Sequence, residues 1–170
     1  MIGTGLKRPA SAASAQAMTL RPLLLSDLDQ VLAIEVTAYP HPWSRGNFVD
    51  SLVAGYHARC LVDADDRLIA YMLAMASLDE LHLLNITVAP DQQGRGHALR
   101  LLEALVEQAR LQPATCLWLE VRPSNVRARQ LYERFGFEQV GVRRAYYPAA
   151  QGQREDALVL RRLISPADGL

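Results

Sequence analysis

Apolar residues recur along this chain with two periods, near two and near 3.6, and the switches between them outline the elements. Residues 18–24 predict a short strand. Ser26 with Asp29 three positions on makes a capping-box-like start, and Leu28, Val31, Leu32 and Val36 then follow at helical spacing until Pro40 and Pro42 end the helix. Ser44 caps a second helix that runs to Leu52. Two strands, 57–62 and 67–76, flank the turn-forming Asp63-Ala64-Asp65-Asp66, and a third, 81–88, ends at Ala89-Pro90. The strongest helix spans 96–111, with Leu99, Leu102, Leu105, Val106 and Ala109 on one face. Residues 115–121 form an apolar strand buried on both faces, and Asn125 opens a helix that ends at Gly136. Strands at 138–142 and 156–163 complete the chain. The order β-α-α-β-β-β-α-β-α-β-β predicts an α/β (α+β) domain with a mixed sheet and helices on both sides.

Composition narrows the function classes. Eighteen basic and eighteen acidic residues cancel, which leaves no global field to attract nucleic acid or an anionic membrane. No apolar run approaches the roughly 20 residues that cross a bilayer. Residues 1–17 are rich in Ala, Ser, Gly and Thr and carry no apolar period, so they are expected to be a disordered tail rather than a secretory signal. The folded domain is expected over 18–164, with a short tail at 165–170. Cys60 and Cys116 both fall in strand-like runs, as buried reduced thiols of a cytoplasmic protein do. His41, His57 and His82 show no i,i+4 pairing with one another or with a carboxylate cluster, so no metal site is expected.

Three positions carry candidate chemistry. The run Gln93-Gly94-Arg95-Gly96-His97-Ala98 joins a strand to the strongest helix. Small residues before a helix start let backbone N–H groups approach an anion, although two glycines there also make an ordinary tight turn. Leu99 stands where a dinucleotide fingerprint has its third small residue, and no Lys follows to make a Walker-type loop. Glu120 is the one acid in Leu117-Trp118-Leu119-Glu120-Val121, either a proton acceptor or the partner of Arg122 or of a neighbouring strand. Tyr132, flanked by Leu131 and Phe135, is either a core aromatic or a proton donor.

The glycine run resembles the Gln/Arg-x-x-Gly-x-Gly/Ala signature of the GNAT acetyltransferases. Leu119-Glu120-Val121-Arg122-Pro123-Ser124-Asn125, followed by Leu131-Tyr132-Glu133-Arg134-Phe135-Gly136-Phe137, is similar to the ribosomal-protein-alanine N-acetyltransferases, the RimI type, within that family. The resemblance covers residues 18–164. It implies the GNAT fold, a mostly antiparallel mixed sheet with one splayed strand pair, and acetyl-CoA as co-substrate with no metal. It implies a cofactor site of Ile86, Thr87, Val88, Gly94, Arg95, Gly96, His97, Ala98, Leu99 and Asn125, with the Val88 N–H polarising the thioester carbonyl. Glu120 takes the family's proton-acceptor position and Tyr132 its proton-donor position. Tyr39-Pro40-His41-Pro42-Trp43-Ser44 and Arg143-Arg144-Ala145-Tyr146-Tyr147-Pro148 resemble the segments that flank the amine entrance, with Glu35, Trp43, Tyr146 and Tyr147 as substrate contacts. Ala145 departs from the polar residue expected there.

By that resemblance the chain acetylates the N-terminal α-amine of a peptide, most specifically the N-terminal alanine of the eighteenth small-subunit ribosomal protein, as a monomer or weak oligomer. An α-amine with a pKa near 8 is about one-tenth neutral at pH 7, whereas a Lys amine is well under one-thousandth neutral, so an N-terminus asks less of a base. Acetylation of small amines or lysines, or non-catalytic acyl-CoA binding, are the rival readings.

Overall fold

A buried stripe on the longest helix, and a central strand buried on both faces, set the layers. The computed structural model describes residues 17–165. Among them the elements are β1 (Thr19–Pro22), α1 (Leu28–Ala38), α2 (Arg45–Val53), β2 (His57–Val62), β3 (Leu68–Ser77), β4 (Glu80–Val88), α3 (His97–Leu111), β5 (Cys116–Val121), α4 (Val126–Arg134), β6 (Glu138–Pro148) and β7 (Arg154–Leu163). The expected tails lie outside the described residues except for Ala17 and Ser165. The sheet order is β1-β2-β3-β4-β5-β7-β6, and every neighbouring pair is antiparallel except β4–β5. This is the mixed, mostly antiparallel sheet that the resemblance implies.

Two cores hold the helices to opposite faces. On one side α3 buries Leu101, Leu102, Leu105, Val106 and Ala109 against Met72, Leu81 and Leu117, and Tyr132 of α4 joins them. Each fully buried Leu contributes about 1.5–3 kcal/mol. Leu99 was expected in that stripe, but it stands at its edge and is 40 % exposed, and Leu101 takes the core position. On the other side α1 and α2 bury Leu28, Val31, Ile34 and Phe48 against Leu68, Tyr71 and Leu73. Here too the expected face shifts. Val36 is exposed, and the buried member of that turn is Glu35.

The capping chemistry is half as expected. Ser44 caps α2, its hydroxyl accepting from the Asn47 N–H at 3.2 Å. Before α1 the work falls to Asp27 rather than to Ser26 and Asp29: its carboxylate accepts from the Leu24 N–H at 2.8 Å and pairs with Arg21 at 2.8 Å. Cys60 and Cys116 are buried and unbonded to each other, and burial pushes the Cys60 thiol up to about 11.

The last hairpin is longer than its pattern suggests. β6 continues through 143–148, past the strand end expected at 142, and is solvent-exposed along most of its length, so it has no apolar alternation to reveal it. Its register slips between Arg143 and Tyr147, and within that slip Ala145 adopts φ +50°. The polar residue expected at 145 therefore has a backbone reason: Asn tolerates the left-handed region better than Ala does.

One irregularity matters most for the site. Opposite β3, Leu73 pairs with Asn85 but Ala74 pairs with Leu83, so Leu84 is an extra residue bulging from β4. The parallel pairing of β4 with β5 runs only from Glu80–Cys116 to Leu83–Leu119. Past the bulge the two strands separate.

Candidate active site

β4 leaves β5 but stays hydrogen-bonded to β3, which decides where its free backbone groups point. The Ala89 N–H donates to the Ile69 carbonyl at 2.9 Å, so Ile69 and Ala89 form a hydrogen-bonded pair. Antiparallel alternation then turns the N–H and C=O groups of Ile86 and Val88 away from β3 and into the gap. Two contacts agree with this direction: the Ile86 carbonyl lies 3.3 Å from the Tyr39 hydroxyl, and the Val88 carbonyl accepts from Gln93 at 3.3 Å.

On one side the gap opens into a cleft of ≈ 380 Å³ lined by Ile86, Thr87, Val88, Gly94, Gly96, His97, Ala98 and Leu99, with Asn125, Arg127 and Tyr132 opposite. Gly94 and Gly96 both have positive φ, +79° and +83°, and Gly96 is the N-cap of α3 with no side-chain hydrogen bond on the exposed amides. Those amides and the helix dipole suit an anion such as a pyrophosphate. A Cβ at Gly96 meets no protein atom within 4 Å, whereas at Gly94 it would come within 3.3 Å of Arg127 Nη2.

On the other side lies a cleft of ≈ 680 Å³ lined by Glu35, Trp43, Leu84, Glu120, Tyr147 and Glu155, among others. Leu119 is the last residue of β5 paired with β4, so Glu120 is the first to stand free of it. Its carboxylate, 24 % exposed, pairs with Arg143 Nε at 3.1 Å rather than with Arg122. Arg122 instead lies 4.3 Å over the Tyr147 ring and pairs with Glu155 at 3.2 Å. Glu155 also accepts the Ser124 N–H at 2.9 Å, which ties the β5–α4 turn to β7, and these bonds hold its carboxyl below the usual range. Burial is the main force that raises the Tyr147 phenol, with the Glu120 carboxylate adding to it.

The two clefts share Tyr39, Ile86, Asn125 and Tyr132, and meet there. Tyr132 projects from α4, whose N-cap Asn125 accepts the Ala128 N–H at 3.2 Å. Desolvation raises the Tyr132 phenol well above its ordinary value, so it keeps its proton at neutral pH.

The remaining expected residues separate into those in the clefts and those outside. The Arg95 side chain is exposed and reaches the Asp91 carbonyl at 3.5 Å, and is not part of the cleft lining. Tyr146 packs edge-on against Tyr147 at 5.0 Å and is 41 % exposed, also outside the lining. Glu35 reaches the cleft wall but is fully committed to internal hydrogen bonds. His97 lines the cleft with Nε2 buried without a partner, and burial together with Arg95 and Arg100 lowers its pKa. Three residues were not singled out from the sequence. Arg127 donates to Gln93 at 3.0 Å beside the glycine loop, Tyr39 stands at the junction, and Arg143 pairs with Glu120. The first is legible only as an Arg in the first turn of its helix. Among the described residues no group of three or more His, Cys, Asp or Glu is placed to hold a metal, and no helix is long and apolar enough to cross a membrane.

Known proteins with this arrangement are readily found. Residues 28–137 match the acetyltransferase (GNAT) family. The ribosomal protein bS18-alanine N-acetyltransferase of Salmonella typhimurium is 41 % identical over 147 residues, covering 86 % of this chain and 98 % of that protein. Its counterpart from Haemophilus ducreyi is 37 % identical over 134 residues, covering 79 % and 92 %. The crystal structure of the ribosomal-protein-S18-alanine N-acetyltransferase from Escherichia coli superposes with a TM-score of 0.81 at 37 % identity, covering 91 % of this chain and 99 % of that one. The chain belongs to the GNAT acetyltransferase family, on the branch that these ribosomal-protein-alanine N-acetyltransferases form.

Proposed function

We propose that this chain transfers the acetyl group of acetyl-CoA to a protein N-terminal α-amine in a ternary complex, in the cytoplasm. Its acceptor is the N-terminal alanine of ribosomal protein bS18, the substrate named for its relatives. The observation that carries the reading is the meeting of two clefts at Tyr132, one lined by the glycine loop and the other by Glu120.

The residues divide the work as follows. The amides from Gly94 to Leu99 hold the pyrophosphate of acetyl-CoA, and the gap-facing groups of Ile86 and Val88 take the place of a missing strand partner for its extended arm. The Val88 N–H donates to the thioester oxygen as negative charge grows there. The α-amine enters through the Glu120 cleft beside Trp43 and Tyr147. As its nitrogen bonds to the carbonyl carbon it loses a proton to Glu120, directly or through one water, and displaces Arg143 from that carboxylate. The carbon–sulfur bond then breaks, and the leaving sulfur takes the Tyr132 proton. A phenol kept protonated by burial is suited to that step.

Mass spectrometry of ribosomal protein N-termini from cells with and without this protein tests the reading. Acetyl-alanine on bS18 that disappears with the protein is the expected result, and unchanged acetylation overturns the acceptor assignment. Purified protein offered an Ala-initiated peptide, a peptide with Lys as its only amine, and a small polyamine should turn over the first in preference to the others.

A further inference from the structure

A buried carboxylate stands beside the reacting gap with no part in the chemistry above. Glu35 is 0 % exposed. Its Oε1 accepts from the Tyr71 hydroxyl and from Asn85 Nδ2, both at 2.7 Å, and its Oε2 accepts the Trp43 N–H at 3.0 Å. A carboxylate has no proton to give, so each neighbour must be the donor.

That requirement propagates outward. Asn85 turns its NH₂ to Glu35, which leaves its amide oxygen to accept, and the Thr87 hydroxyl donates to it at 2.8 Å. Thr87 has then given its single proton. In the 2.8 Å contact between the Tyr39 and Thr87 hydroxyls, Tyr39 must therefore be the donor. Every proton along Tyr39, Thr87 and Asn85 points inward, toward Glu35. The Ile86 carbonyl, 3.3 Å from the Tyr39 hydroxyl, is the rival acceptor for that proton, but donation to it would leave the 2.8 Å Tyr39–Thr87 contact between two oxygens with no proton between them, so the Tyr39 oxygen presents its lone pairs at the meeting point of the clefts.

We propose that Tyr39 orients the acceptor amine: its phenol oxygen, with its own proton committed to Thr87, accepts an N–H of the incoming α-amine, and Glu35 sets that polarity from the buried end of the chain. The inference deepens the acetyl-transfer reading and rests on it. The polarity matters because the nucleophile is a lone pair. A hydroxyl free to donate would hydrogen-bond that lone pair and hold it away from the carbonyl carbon. A group that can only accept grips an N–H instead and leaves the lone pair aimed at the carbon, a near-attack geometry. Tyr39 acts on the substrate, whereas Thr87, Asn85 and Glu35 are positioning residues that act through it.

The test uses the full-length protein with an Ala-initiated peptide, and measures kcat and KM for the peptide alongside a thermal melt of the same preparation. Tyr39→Phe keeps the ring and removes the acceptor; kcat/KM for the peptide should fall about 10- to 100-fold, the range for one lost hydrogen bond to a polar or charged partner. Thr87→Val keeps the Tyr39 oxygen but frees its proton to face the gap, and should fall by a similar factor. In the double variant Thr87 has nothing left to act through, so its loss should equal that of Tyr39→Phe alone. A single cooperative thermal melt reports an intact fold in each. Wild-type turnover with unchanged kcat/KM in Tyr39→Phe overturns the inference and leaves the proposed function standing, as do losses that multiply in the double variant. No wild-type turnover on any amine overturns both.

Discussion

Replacing Gly96 by Val separates what the glycine does for the fold from what it does for the ligand. At φ +83° and ψ 7° the residue lies in the left-handed region, where an L side chain costs about 1–2 kcal/mol and a β-branched one is least welcome. No clash adds to that figure, because a Cβ there meets no protein atom within 4 Å. Stability should therefore fall by about 1–2 kcal/mol, a Tm loss of roughly 2–8 °C in a domain of this size. Binding should suffer far more. The new side chain stands in front of the first amides of α3, and displacing an anion from two of them forfeits about 1.5–3 kcal/mol for each charge-assisted bond. The sum, about 3–6 kcal/mol, is a loss of roughly 10²–10⁴ in acetyl-CoA affinity. Isothermal calorimetry gives the Kd, and a thermal melt of the same preparation gives the Tm. A Kd within threefold of wild type in a protein that still melts cooperatively would remove the glycine loop from the cofactor site, and with it the direction in which the substrate is threaded.

Three further outcomes are expected. Glu120→Gln keeps the size of the side chain but cannot accept a proton, so peptide kcat/KM should fall about 10²–10⁴-fold with the acetyl-CoA Kd unchanged; wild-type turnover would assign the base elsewhere. Burial raises the phenols of Tyr71, Tyr132 and Tyr147, so above pH ~10, the ordinary tyrosine value, the folded protein binds more protons than the unfolded chain. The stability they carry is complete below pH ~10 and is lost as pH rises through their folded values, and phenolate absorbance should show these three ionising together with unfolding. Ionisation of all six tyrosines near pH 10 in a still-folded protein would contradict that burial. Ala145→Asn should relieve the left-handed strain at φ +50° and stabilise by about 1 kcal/mol, raising the thermal midpoint by roughly 2–4 °C; a lowered midpoint would mean the hairpin is not strained there.

The parts of the fold that were legible from sequence are those where one physical rule acts alone. α3 announces itself because its apolar stripe and glycine start agree, and Ser44 and Asn125 cap their helices because nothing competes for their side chains. β6 hides its second half because an edge strand exposed on both faces has no period to follow. The bulge at Leu84 left only a faint trace, the adjacent Leu83 and Leu84 that break the alternation of 81, 83, 86 and 88, and a one-residue slip looks like noise without its partner strand. Glu35 could not be read from periodicity, since a buried acid breaks the pattern that locates a core, and its three donors come from three different segments. At the site, Glu120, Tyr132 and the glycines line the two clefts that meet at the gap. Arg95 and Tyr146 carry their side chains elsewhere, because a motif specifies a backbone position more tightly than the direction of an exposed side chain.

The bulge at Leu84 also has a kinetic signature. Downstream of it, Ile86 and Val88 sit in the middle of a seven-stranded sheet with their amides facing no strand, while Leu81 and Leu83, a few residues earlier, are clamped between β3 and β5. In deuterated water the amides of 86 and 88 should exchange as quickly as those of an outer strand and slow sharply once acetyl-CoA binds, so that one strand carries both a protected half and an adaptable half. The sheet is in that sense built incomplete, with one strand position open at its centre.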